Sequence, residues 1–136
     1  MPINEKYFLP SYLCLVMVQI SDRREITDVK NLKRFSSFLV NAVGMEPTRK
    51  PVVDLLPCPE FADISSISVN QPIKTSVSVS DAWPEKLAQG ALIILVHSCK
   101  KFNKKVVERT ALKFFKKGAK IVQSKFHNDS KLVKTL

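Results

Sequence analysis

Residues 91–122 read ALIILVHSCKKFNKKVVERTALKFFKKGAKIV, and this stretch decides the fold. Residues 91–96 are an uninterrupted apolar run with the length and composition of a strand buried on both faces. A polar loop over residues 97–102 follows. Across residues 103–117 the apolar side chains Val107, Ala111, Phe114 and Phe115 recur at helical spacing, and Gly118 stands where a helix needs a left-handed residue to stop. Residues 119–122 return to strand character. A strand, a crossover helix and a second strand in this order form the right-handed unit that builds parallel sheets with helices packed on them.

Working outward, residues 13–20 are rich in Leu, Val and Ile with almost no polar alternation, as expected of a central strand covered on both faces. Thr27 and Asp28 open an amphipathic helix that places Leu32, Phe35, Leu39 and Val43 on one side and closes at Gly44. In the connector that follows, Pro47, Pro51, Pro57 and Pro59 allow only a short strand over residues 52–56. Over residues 64–80, Ile67 and Val69 and then Val77 and Val79 alternate with polar residues, interrupted at Asn70, Gln71 and Pro72, which predicts a hairpin whose strands are polar on one face. Asp81 reads as the cap of a short third helix, with Pro84 in its first turn and Gly90 after its end. The expected order is β-α-β-β-β-α-β-α-β. This is an α/β fold, with a mixed sheet of about five to six strands and about three packed helices. It is read as a single domain over residues 1–126 with a polar tail over residues 127–136.

A chain of 136 residues with 45% hydrophobic and 25% charged residues and only three glycines has the composition of a globular protein. Cys14, Cys58 and Cys99 are odd in number and widely spaced, which favours free thiols in a reducing intracellular compartment, cytoplasmic or nuclear. The apolar run at residues 12–20 is too short to cross a bilayer and lacks the flanks of a secretory signal, so no membrane association is expected.

Charge carries the functional information. Residues 100–136 hold twelve Lys and Arg against only Glu108 and Asp129, which accounts for the whole net charge of +10; the first 99 residues are balanced. An excess confined to one segment makes a directed positive field that attracts polyanions. On the helix read over residues 103–117, Lys105, Arg109, Lys113 and Lys116 fall on the side opposite the apolar positions, a rail of cations about 5 to 6 Å apart. Lys117 lies at its edge, Lys120 beyond the cap, and Lys100 and Lys101 at the helix start. Repulsion along such a rail destabilises a helix unless an external anion offsets it.

The expectation is a small nucleic-acid-binding protein, RNA favoured over DNA, acting as a non-catalytic accessory or structural subunit. Its contacts are Lys100, Lys101, Lys105, Arg109, Lys113, Lys116, Lys117 and Lys120 to phosphates. With one arginine in the basic segment, base-specific contacts are few and sequence specificity is low. Phe102 and Phe126 flank the rail, where core packing is the first reading and a stacking platform the second, and Phe114 and Phe115 are read as core.

Three readings compete with this one. The lysines can be a solvated face serving solubility. The chain can be an assembly subunit that docks an acidic protein partner, with Trp83 or the hairpin at residues 64–80 adding apolar contact. Lastly, the loop after the strand at 91–96 can host an enzyme, with Cys99 as a thiolate nucleophile and His97 as its base. Asp81 or Glu85 would then have to supply a third group. Two histidines thirty residues apart and scattered cysteines match no zinc spacing, and no Gly-rich phosphate loop is present, so neither metal nor cofactor is expected.

Overall fold

A computed structural model describes residues 11–58, 64–83, 90–116 and 118–128. Its elements are β1 (Tyr12–Ile20), a 3₁₀ turn (Arg23–Ile26), α1 (Val29–Ala42), β2 (Val52–Cys58), β3 (Ile64–Ile73), β4 (Ser76–Trp83), β5 (Ala91–Ser98), α2 (Lys104–Phe114) and β6 (Ala119–Asn128). The strands form one six-stranded sheet in the order β2-β3-β4-β5-β1-β6.

Every hydrogen-bonded pair in that sheet is antiparallel, which corrects the expected mixed sheet. The crossover unit does form, and β5 and β6 run in the same direction. They are not neighbours, because β1 is inserted between them and pairs antiparallel with both. The α/β class stands, with two α-helices among the described residues rather than three.

Asp81, read as a helix cap, lies inside β4 opposite Ile93 and Ser68; residues 84–89, where the third helix was expected, lie outside the described residues. The hairpin also differs. β3 runs through Asn70, Gln71 and Pro72, and the chain reverses at Lys74 and Thr75. Pro72 is tolerated there because β2 pairs with β3 only up to Asn70, and the Pro72 carbonyl accepts from Thr48 N at 3.1 Å on that outer side. The reversal is anchored by Lys74, whose backbone N donates to the Glu46 carbonyl at 2.9 Å and whose ammonium meets the Glu46 carboxylate at 2.6 Å. β6 extends through His127 and Asn128, and residues 129–136 lie outside the described residues.

β1 alternates with the period of two that a pleated strand imposes. Cys14, Val16, Val18 and Ile20 are buried, while Leu13, Leu15, Met17 and Gln19 are half-buried on the opposite side. Both helices cover the first of these faces. Asp28 caps α1 by accepting from Lys30 N at 3.0 Å, and the helix buries Leu32, Phe35, Leu39 and Val40. Asn103 caps α2 in the same way, accepting from Lys105 N at 2.9 Å, and that helix buries Val107, Thr110 and Ala111. Together with Leu92, Ile94, Val96 and Phe115 these residues make one core between the sheet and a single helical layer. Among the described residues no helix is long and apolar enough to cross a membrane.

Candidate nucleic-acid interface

The outer side of α2 carries Lys105, Arg109 and Lys113, all exposed, as its amphipathic spacing requires. The helix stops at Phe114, earlier than the sequence implied: Phe115 leaves helical geometry with ψ 70 and turns into the core, where it is 1% exposed. Lys116 is exposed beyond the helix end, and Lys117 lies outside the described residues. Lys104 is the half-buried cation of the helix, 3.6 Å from Glu108, which also receives the Ser124 hydroxyl.

The remaining predicted contacts separate into two groups. Lys100 and Lys101 are exposed at the start of α2, although Lys100 Nζ donates to the Gly44 carbonyl at 3.1 Å. Lys101 lines a hollow of about 520 Å³ with Phe102, Asn103, Lys104, Lys105 and Phe126. Phe102 is buried edge-on to Phe126, at 5.5 Å between centroids, while Phe126 is partly exposed. Lys120 does not join the rail. It pairs with Gln19 on β1 and so stands on the sheet face turned away from the helices.

The sequence reading missed a contribution from α1. Its outer side bears Lys30, Lys33, Arg34 and Phe38, all exposed, and the helix contains no acidic residue. This basic cluster was hidden by the balanced total of the first 99 residues; counting charge over residues 29–42 alone would have exposed it. Where α1 meets α2, a hollow of about 610 Å³ is lined by Lys33, Arg34, Phe38, Lys50 and Phe114 among others. A second, of about 500 Å³, shares Arg34, Phe38 and Phe114 and adds Lys113 and Lys116, with Glu25 as its acid. The two hollows thus form one basic groove over the seam between the helices.

Aromatic rings pave that groove. Phe38, 44% exposed, lies 6.0 Å from Phe114, which in turn lies 5.3 Å from the buried Phe35 and 5.0 Å from Phe115. Phe115 is core, as expected, but Phe114 is half-buried and presents part of its ring to the groove. The Arg34 guanidinium is 5.8 Å from the Phe114 centroid, a cation–π distance. Cations beside partly exposed rings can neutralise phosphates and stack bases at once.

At the end of β5 the structure pairs His97 with serines. Its Nδ1 shares a hydrogen bond with Ser76 Oγ at 2.6 Å and its Nε2 one with Ser11 Oγ at 2.9 Å. Cys99, half-buried, uses its backbone N to donate to the Thr75 carbonyl at 3.3 Å. The Ser98 hydroxyl, on the helical face, donates to Thr75 Oγ1 at 2.7 Å. Asp81, a suggested third group, sits opposite Ile93, four residues along β4 from the position opposite His97. Glu85 lies outside the described residues. Trp83 ends β4 half-buried, with a buried Nε1 that has no hydrogen-bond partner.

No protein-family model matches the chain, and no curated protein matches it in sequence.

Proposed function

We propose that this protein binds nucleic acid, RNA in preference to DNA, through the helical layer, as a non-catalytic accessory or structural subunit with little sequence specificity. One observation carries the reading: Lys33 and Arg34 of α1, Lys50 just before β2, and Lys113 and Lys116 at the end of α2 surround the partly exposed rings of Phe38 and Phe114 in one groove. Solubility alone gives no reason for cations and exposed aromatics to converge. A groove of this kind suits an unpaired strand, whose bases are free to stack while its phosphates meet ammonium groups. The rail of Lys105 and Arg109, with Lys100 and Lys101, extends the positive surface along α2.

Fluorescence anisotropy with a labelled single-stranded RNA of mixed sequence tests this across 50 to 200 mM salt. The logarithm of affinity should fall against the logarithm of salt with a slope of roughly −3 to −5. Replacing Arg109, Lys113 and Lys116 together by Glu should abolish binding while leaving the circular dichroism spectrum intact. Unchanged affinity in that variant overturns the proposal.

The 2.6 Å contact between Ser76 Oγ and His97 Nδ1 favours a second, catalytic reading. A hydroxyl bonded to an imidazole, itself held on its other nitrogen by Ser11, has the arrangement of a nucleophile with its base. Here Ser76, rather than Cys99, is the nucleophile that His97 serves. Covalent labelling by a broad phosphonate ester, lost in both Ser76→Ala and His97→Ala, would favour this reading over the first.

A further inference from the structure

We infer that the sheet face turned away from the helices is covered by a second copy of this chain, packed sheet on sheet about a two-fold axis. Leu13, Leu15 and Met17 of β1, Ile93 and Leu95 of β5 and Val79 of β4 all point to that face and are only half-buried. An antiparallel sheet that meets water on one side places polar residues there. The centre of this face is instead as apolar as a core, and among the described residues the helices lie on the other side.

The pattern of charge selects another copy of the same chain as the cover. In strand order, Asp54 on β2 and Asp81 on β4 occupy one flank of the face, and Lys120 and Lys125 on β6 the other. The registers place Asp54, Ser68, Asp81, Ile93, Met17 and Gln123 in one row across the sheet. Lys120 and Lys125 stand in the rows on either side of it. A two-fold axis between the sheets and parallel to the strands keeps rows level and reverses strand order. With that axis over β5, β4 of each copy covers β1 of the other, and β6 lies over β3, between the strands that carry the two aspartates. Each lysine is offset from the nearest aspartate by one row, roughly 7 Å, and one strand, about 4.8 Å, a diagonal of about 8 Å that extended lysine and aspartate side chains together span. Val79 then lies over Leu15 of the other copy, Ile93 and Leu95 over their own counterparts, and Asp81, level with Met17, has Lys120 and Lys125 one strand away, in both halves at once, as an isologous interface demands.

The area suffices. Five strands about 4.8 Å apart and roughly 26 Å long give roughly 600 Å² per copy. The total of roughly 1,200 Å² reaches the lower bound of a specific interface. Repulsion between the two copies is weak despite the net charge of +10. The cation-rich helices lie outermost, with a sheet-to-helix layer in each copy between them, about 30 Å apart and several Debye lengths at physiological salt.

Sedimentation equilibrium of the full chain tests the inference. At micromolar concentration the expected mass is twice the 15.4 kDa of one chain. Leu95→Glu, at the apolar centre, should raise the dimer dissociation constant by at least about thirtyfold. Asp81→Lys should weaken association by about tenfold, and Lys125→Glu in the same chain should restore most of it. The charge pair keeps the test open if Leu95→Glu fails to fold. A chain that stays at 15.4 kDa at about 100 μM, or a dimer indifferent to both the apolar change and the charge reversal, overturns the inference.

Discussion

The Arg34 guanidinium and the Phe114 ring meet 5.8 Å apart across the seam between α1 and α2, joining two helices whose sequences lie far apart. Their contributions to binding should separate by the kind of energy each supplies. Phe114→Leu removes a stacking surface and should weaken single-stranded RNA binding by roughly 5- to 100-fold, with the salt slope unchanged. Arg34→Ala removes one phosphate partner and should make the slope shallower by about 0.7. Anisotropy titrations of both variants at four salt concentrations decide this.

Gly118 joins α2 to β6 with φ +83, and a Cβ placed there would lie 2.6 Å from Ser21 Oγ, the hydroxyl that donates to the Gly118 carbonyl at 3.0 Å. Gly118→Ala therefore meets both a left-handed backbone and a clash. It should destabilise the protein by about 1 to 3 kcal/mol in urea unfolding. The same substitution should be less damaging in a Ser21→Gly background, which removes the clash but not the backbone strain.

Burial pushes the Cys14 thiol up to about 11, with the Glu108 carboxylate adding to the effect and Lys104 opposing it. An acid whose pKa is raised on folding leaves stability untouched below the unfolded value, near 9. Stability is then lost as pH climbs from about 9 toward 11, since only the unfolded thiol ionises there, and the loss should reach about 2 kcal/mol. The difference in unfolding free energy between wild type and Cys14→Ala, followed from pH 8 to pH 11, should shrink by that amount.

Local patterning made the parts of this molecule legible, and non-local pairing set what it hid. The apolar runs of β1 and β5 and the caps at Asp28 and Asn103 are encoded within a few residues of where they act. The neighbour of β5 is not. Nothing in residues 91–122 announces that a strand from residues 12–20 will occupy the space between β5 and β6. The turn at Lys74 and Thr75 lacks the Gly or Asn that usually marks a hairpin, and the apparent punctuation at Asn70 to Pro72 lies inside a strand that ends beside a shorter partner. Asp81 has the chemistry of a cap, and only the pairing of β4 with β3 and β5 shows it to be a strand residue. The cation rail on α2 was readable because helical periodicity fixes which side faces outward. The groove was not, because Phe38 and Phe114 become neighbours only once both helices lie on the same sheet.

Insertion of β1 between β5 and β6 sets the timing of maturation. During synthesis β1 leaves the ribosome long before its second partner exists, and until residues 119–128 have emerged one of its edges has no strand to pair with. A chain arrested in that interval displays a naked, strongly apolar edge that invites aggregation. The sheet is completed when β6 pairs with β1 across a high sequence separation, so folding should finish slowly and should benefit from chaperone shelter until that pairing is made.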